Sequence, residues 1–346
     1  MTGAAGKSGK DEDDGMTKSK EGNLFTMKKR TVLVTGTGAL IGYGILRSLR
    51  KAHPELRLIA MDIYPDAVGQ YFADEFIRAR RADAPDYPEF LCGTIERYGV
   101  DLVFFGTEQE LFAAFDARRR MGGHYAKLAV NTPELIRISK DKFALYQALT
   151  RRGLPAIPSR IDGSYREIAG EMGTPFLLKR RRSYASKGLA VIEDEADFSY
   201  FRRKAGEDFM AQPIIGSADR EYTVGIFGYG DGTSTPPFQL IRRLSGEGAT
   251  AKARIVHSAE LDETVRQLVA AFEPVGPTNF QFREAEGRFW LLEINPRISS
   301  SASIRAAFGY DEASLSLDFY LDHLRTPVKF ADSGSAVRYI ADWIIP

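Results

Sequence analysis

Residues 278–297 read TNFQFREAEGRFWLLEINPR. Phe280 and Phe282 alternate with Asn279, Gln281 and Arg283, a period of two that predicts a strand with one apolar and one polar face. The segment Glu284-Ala285-Glu286-Gly287 then turns the chain, and Gly287 can take the positive φ such a turn often needs. A return strand runs from Arg288 to about Asn295, where Pro296 ends it. On it Glu293, Asn295 and Arg297 share one face, because alternate side chains point the same way. A carboxylate, an amide oxygen and a guanidinium in one row make a poor core but can hold a hard metal ion and an anion together. Glu293 and Asn295 offer oxygen ligands, with Gln281 on the neighbouring strand as a third. Oxygen donors suit Mg²⁺, which leaves much of its octahedron to water and phosphate oxygens. The alternative is a surface hairpin whose polar row is merely solvated. The apolar flanks of LLEINPR and the SSSAS run at 299–303 weigh against it.

Around this hairpin lies a chain of 346 residues, 44% hydrophobic and 27% charged, enough for two or three packed units. A net charge of +1 implies no general attraction to nucleic acid or anionic membrane. With one cysteine, Cys92, there is no intramolecular disulfide framework and no Cys-rich zinc site. The four histidines are scattered at 53, 124, 257 and 323, which disfavours a histidine metal cluster. No apolar run reaches membrane-spanning length. Residues 1–27 are rich in Gly, Lys, Asp, Glu and Ser and lack the apolar stretch of a signal peptide, so a disordered tail and a cytoplasmic location are expected.

Upstream, TVLVT (31–35) reads as a buried strand feeding a glycine-rich turn, the helix ILRSLRKA and a second strand, LRLIAMD, that ends on Asp62. This resembles the opening of a dinucleotide-binding unit, but the glycines are spaced GxGxxxG rather than GxGxxG. Close packing of the first turn on its helix explains them as well. Tyr200 and Lys204 have YxxxK spacing but sit in a charged helical run where that spacing arises by chance. DEFIRAR, DLVFFGT and KLAVNT read as further strands. YPEFLCGTIERYG and EQELFAAFDARRRM read as helices, the second capped by Thr107. Residues 28–134 are therefore expected to form an open parallel sheet with helices on both faces.

From Thr132 the pattern changes. A helical pair runs to Gly153, LPAIPSR is extended, and PFLLK is a strand with Lys179 at its end. RRRSYASKG is a basic loop before the strand LAVIED, and DFSYFRRKAG is a helix. DFMAQPII, REYTVGIFGYG and PPFQLIRRLS are strands of an antiparallel unit, and the helix LDETVRQLVAAFEP delivers the chain to the hairpin. The loop Ser186-Lys187-Gly188 can lay backbone N–H groups and an ammonium over phosphates, with Lys179 as a second charge from a strand end. It is not a Walker loop, and an exposed basic turn is the alternative. The cations Arg242, Arg243, Lys252 and Arg254 precede that last helix. They are candidates for a substrate carboxylate or phosphate, or else a charged strand edge that resists aggregation.

Taken together, NFQF…LLEINPR, FLLK…SKG and MAQPII…REYTV resemble the ATP-grasp superfamily, most closely the ATP-grasp halves of carbamoyl-phosphate synthetase and similar amino-acid ligases. The resemblance spans about residues 28–320. It implies an α/β chain with an N-terminal pre-ATP-grasp domain (28–134) and two α+β subdomains that clamp ATP: a lid at 135–210 and a metal-bearing subdomain at 211–325. A C-terminal extension at 326–346, readable as an added strand or an interface, completes the expected layout. Carried over residue by residue, the resemblance implies that Lys142 and Lys179 contact ATP phosphates, and that Ser186, Lys187 and Gly188 form the mobile phosphate loop. Gln212, Pro213, Ile214 and Ile215 would be the hinge that meets adenine, and Glu221 would accept from the ribose. Gln281, Glu293 and Asn295 would hold one or two Mg²⁺ ions, with Mn²⁺ as a substitute. Arg297, with Lys187, would serve the transferring phosphoryl group and the acyl phosphate.

The implied activity is ATP-dependent ligation of a small-molecule carboxylate to an amine, releasing ADP and phosphate. Two other readings compete: phosphorylation of a carboxylate or carbamate without amide formation, and an NAD(P)-binding or regulatory nucleotide-binding protein. Neither nucleic acid nor membrane is an expected partner. Family members are often dimers, so the resemblance admits a homodimer. One ATP-grasp unit without a glutaminase does not make a complete carbamoyl-phosphate synthetase.

Overall fold

The computed structural model describes residues 29–182 and 188–345, so the expected tail and Ser186 and Lys187 of the phosphate loop lie outside the described residues. The first unit comprises β1 (Thr31–Thr35), α1 (Leu40–Ala52), β2 (Arg57–Asp62), β3 (Glu75–Arg78), α2 (Tyr87–Tyr98), β4 (Leu102–Phe104), α3 (Glu108–Asp116) and a single turn, α4 (Arg118–Met121). Its strands pair in parallel in the order β3-β2-β1-β4, as continuous apolar runs buried on both faces should. Thr107 caps α3 by accepting from the Glu110 N–H.

The glycine-rich turn serves packing. A Cβ on Gly42 would overlap the Gly36 carbonyl. The Asp62 carboxylate accepts from the Gly38 N–H at 2.7 Å and the Tyr64 N–H at 2.9 Å, so the strand-end acid is spent on the loop itself. Tyr200 and Lys204 belong to a helix of a different unit. The strand expected in KLAVNT shrinks to one bridge between Leu128 and Val103. Asn131 draws the chain off the sheet by donating to Thr278 Oγ1 and accepting from the Thr132 and Val275 N–H groups.

Next come α5 (Pro133–Ser139) and α6 (Lys142–Arg151), whose Leu135, Ile138, Leu145 and Leu149 join the core around Phe280 and Phe282, and then a second unit of α7 (Tyr165–Met172), β5 (Phe176–Arg180), β6 (Leu189–Ile192), α8 (Glu195–Ala205) and β7 (Phe209–Pro213). The three strands pair antiparallel in the order β6-β5-β7. Ile168 of α7 and Phe198 of α8 close one face over Phe176 and Phe209. The sequence reading passed over α7, although Ser164 and Glu167 form a full capping box at its start. Strand β5 runs one residue beyond Lys179, and β7 stops at Pro213, short of Ile214 and Ile215.

The third unit holds β8 (Glu221–Tyr229), β9 (Phe238–Leu244), β10 (Thr250–Ile255), α9 (Ala259–Phe272), β11 (Val275–Ala285), β12 (Arg288–Asn295), α10 (Ala302–Ala307), α11 (Glu312–Asp322) and β13 (Ser335–Val337). Its six strands are ordered β12-β11-β8-β9-β10-β13. The hairpin forms as its period-two pattern requires. Phe280 and Phe282 are fully buried against Leu261, Val265 and Leu268 of α9, and each such ring contributes about 1.5–3 kcal/mol. The turn is tighter than expected: Glu286 and Gly287, at φ 54° and 72°, span it alone. A bulge after Gln281 leaves Leu292 without a cross-strand partner, since Gln281 faces Glu293 while Phe282 faces Leu291.

The first unit shares its core with the third. Ala313 and Leu317 of α11 join α1 in covering Val32, Val34, Leu58 and Ala60, one whole face of the first sheet. The C-terminal segment adds β13 to the edge of β10, and Trp343 stacks on Tyr71 of the first unit at 5.5 Å. Among the described residues no helix is long and apolar enough to cross a membrane.

Candidate active site

The polar face of the six-stranded sheet gathers the candidate residues. Register places Glu293 opposite Gln281, Asn295 opposite Asn279, Arg283 opposite Glu221 and Glu221 opposite Arg242. Asn295 donates to Glu293 Oε1 at 3.1 Å, and Arg297 Nη2 donates to Asn295 Oδ1 at 3.3 Å, so the predicted row exists as a hydrogen-bonded chain. Arg242, 4% exposed, donates to Glu221 Oε1 at 2.9 Å and to Gln281 Oε1 at 2.6 Å. Arg283 takes the other oxygen of Glu221 at 3.2 Å. Both oxygens of Glu221 thus already carry guanidinium contacts, and a ribose hydroxyl would have to share them.

Of the four cations proposed for substrate, Arg242 alone lies on this face. Arg243 points away into an exposed pair with Asp219 at 2.8 Å, and Lys252 and Arg254 are exposed on β10. Alternation along β9 and β10 is the reason: neighbouring residues take opposite faces.

The three-stranded sheet supplies the opposing wall. Lys179 has its ammonium brought down to about 8, first by burial and then by the nearby charge of Lys142, with Glu293 acting in the opposite sense. Lys142 and Glu293, far from Lys179 in the chain, are thus both near enough to act on its charge. Lys142 opens α6, where Asp141 caps the helix and pairs with Arg181 at 2.5 Å, and the Lys142 N–H donates to the Arg181 carbonyl at 3.2 Å. Gln212 uses its amide to donate to Ser159 Oγ at 2.7 Å, which leaves the hinge its backbone groups. Pro213 brings no N–H, so the amides of Ile214 and Ile215 remain. Gly188, at φ 74°, closes the loop against the Arg180 side chain.

The donor chemistry fits a hard cation. Among the described residues no group of three or more His, Cys, Asp or Glu could hold a metal. An ion here would rest on one carboxylate, Glu293, with the Asn295 amide oxygen and phosphate oxygens, as Mg²⁺ prefers. Both amide oxygens already accept from a guanidinium, Asn295 Oδ1 from Arg297 at 3.3 Å and Gln281 Oε1 from Arg242 at 2.6 Å, and the shorter bond makes Gln281 the less simple fit.

One residue beside the site was not singled out in the sequence. Glu108, the first residue of α3, pairs with Arg297 at 2.5 Å across the domain boundary. The available signal was its position at the carboxyl end of a parallel strand, where open α/β sheets place ligands.

A parallel α/β sheet followed by two antiparallel sheets gives the chain an ATP-grasp fold. More particularly, residues 206–342 match the family model described as ATP-grasp in the biosynthetic pathway with Ter operon. The chain is similar to the carbamoyl phosphate synthase large chain of Campylobacter jejuni, 21% identical over 94% of this chain and 32% of that one. It therefore spans about a third of the length of that relative. Two solved structures share the fold. N5-carboxyaminoimidazole synthetase from Staphylococcus aureus, complexed with ADP, has a TM-score of 0.70 at 18% identity over 90% of this chain and 82% of that one. The biotin carboxylase domain dimer of Hydrogenobacter thermophilus 2-oxoglutarate carboxylase, with MgADP, ADP and bicarbonate, has a TM-score of 0.72 at 16% identity over 89% and 74%.

Proposed function

We propose that the protein is an ATP-dependent carboxylate–amine ligase that activates its acid as an acyl phosphate. The observation that carries this reading is the chain Glu293–Asn295–Arg297 set on one sheet within the electrostatic reach of Lys179 on the other. A carboxylate oxygen attacks the γ-phosphorus of ATP, the bond to the β-phosphate oxygen breaks, and ADP leaves. The amine nitrogen then attacks the acyl carbon, phosphate departs with the C–O electron pair, and the amine proton passes to solvent. Lys142 and Lys179 hold the phosphates, and Ser186, Lys187 and Gly188 close over them. The backbone of Gln212–Ile215 meets adenine, Glu221 lies toward the ribose, and Arg297 stabilises the transferring phosphoryl group. Arg242 orders Gln281 and Glu221 from beneath. Glu293 and Asn295 would hold Mg²⁺, which offsets charge on the β- and γ-phosphates when bound. Closure over the site would keep water from the labile acyl phosphate.

The deciding experiment screens acids, with bicarbonate among them, against amines for ADP release, with mass spectrometry of the product. Amide formation dependent on both supports the ligase. ADP release that needs no amine would replace it with phosphorylation of the acid alone. A thermal melt adds a test of nucleotide choice: Mg-ATP is expected to raise the midpoint and NADH to leave it unchanged, since a ligand that binds only the native state stabilises it. A shift with NADH and none with Mg-ATP would sink the reading.

Lys179 adds a pH signature. Free, it loses its proton near pH 8; bound phosphates favour the ammonium and raise that value. Mg-ATP affinity should be complete below pH 8 and decline as pH rises through it, with proton uptake on binding near pH 8. Lys179→Arg, always charged, should flatten the profile. Titration calorimetry across pH 7 to 9.5 checks this, and an unchanged slope in the variant would refute it.

A further inference from the structure

Arg297 arrives at the site already carrying an anion from another domain. Its Nη2 donates to Glu108 Oε1 at 2.5 Å and to Asn295 Oδ1 at 3.3 Å, and its Nη1 donates to the Ile298 carbonyl at 2.9 Å. Its Nε is buried with no partner. Arg297 also lines a crevice together with Phe105, Leu111, Asn131 and Pro277. The two paired side chains are 15% and 19% exposed, so neither is sealed in.

We propose that Glu108 is a built-in counter-anion for Arg297, and that the anionic group of the reacting molecule binds by displacing it. The proposal rests on the phosphoryl-handling role given to Arg297 above. A guanidinium binds a carboxylate or phosphate best through two parallel N–H bonds. The Nε–Nη2 edge can offer such a pair, and here Nε is unpaired while Nη2 is taken. An anion on that edge must turn Glu108 aside, because two like charges on one donor repel. Glu108 is placed to turn. It stands at the head of α3, whose next acid, Glu110, is fixed by Thr35 and Thr107, whereas the recorded hold on Glu108 is the guanidinium itself. Without substrate the arginine is neutralised and kept in place. With substrate, displacing the carboxylate costs every anion the same free energy, so an anion needs both guanidinium contacts to offset it and bind. Glu108 thereby acts as a specificity-determining residue contributed by the first domain.

The probe is inorganic phosphate, titrated calorimetrically into protein saturated with MgADP. Glu108→Gln keeps the shape and one acceptor but removes the competing charge, and phosphate should bind about tenfold more tightly, the scale of one charge-assisted contact. A gain in affinity is not a result that misfolding produces. Arg297→Ala should lose the phosphate site, and adding Glu108→Gln to it should recover nothing. No gain in Glu108→Gln, phosphate binding to neither protein, or an equal gain in the Arg297→Ala background would each overturn the proposal; the last would mean a general field effect. The first step of the same titration, MgADP binding to the wild type, reports separately on the ligase reading.

Discussion

Glu293→Gln is expected to leave the fold intact and to lower phosphoryl transfer by about two or more powers of ten, the scale seen when one preorganised charge-stabilising group is lost. The side chain is partly exposed at the cleft, and its recorded protein contact is the Asn295 amide at 3.1 Å, which a glutamine oxygen can still accept. Nothing in the packing therefore penalises the change. What is lost is the one carboxylate in a donor set otherwise made of amides, together with the negative charge that favours the ammonium of Lys179. Loss of activity should thus come with a higher Mg²⁺ requirement and a lower Lys179 pKa. ADP release at varied Mg²⁺, with circular dichroism as the folding control, makes the measurement. A folded variant with near wild-type, Mg²⁺-dependent turnover would remove the metal site from this hairpin.

The second large effect falls on stability. Arg305 and Glu312 form an ion pair with both side chains 0% exposed, Nη2 to Oε1 at 2.8 Å. The guanidinium also donates to Asn279 Oδ1 and Ser299 Oγ, and it lies over Gly225, where a Cβ would come within 2.5 Å of Arg305 Nε. Burial pushes the Glu312 carboxyl up, and Arg305 pulls it back. Removing the acid strands a charge in the core, so Glu312→Ala should cost about 3–5 kcal/mol. Such a loss corresponds to a fall in melting temperature on the order of 5–10 °C. The exposed Arg81–Asp83 pair is the contrast: Asp83→Asn should leave the melt unchanged. Scanning calorimetry distinguishes them, and equal melts for both variants would show that the buried pair contributes nothing.

What could be read beforehand followed from periodicity. The polar row of the hairpin was legible because Phe280, Phe282 and Ile294 mark the opposite face at period two and Pro296 marks the end. The bulge at Leu292 was not, because an extra residue in a strand leaves no signature in composition. Glu221 was found by its motif. Its service to Arg242 and Arg283 depends on the register of three strands and could not be foreseen from any one of them. Arg243, Lys252 and Arg254 looked equivalent to Arg242 in a list of charges, and only the face each takes separates them. Arg305 reads as an ordinary surface cation until Glu312 and Asn279 are seen around it. Glu108 meets Arg297 across 189 positions of chain.

The cover of the first sheet has a consequence for how the protein is made. Val32, Val34, Leu58 and Ala60 are translated more than two hundred residues before Ala313 and Leu317, which shield part of that same face. Domains generally fold as units in order of synthesis. This one must wait with an apolar face incompletely closed while the lid and the six-stranded sheet are still being produced. Until α11 is made, the nascent chain therefore carries a surface that invites chaperones or neighbouring chains, and the first domain is complete only once that helix has packed on it.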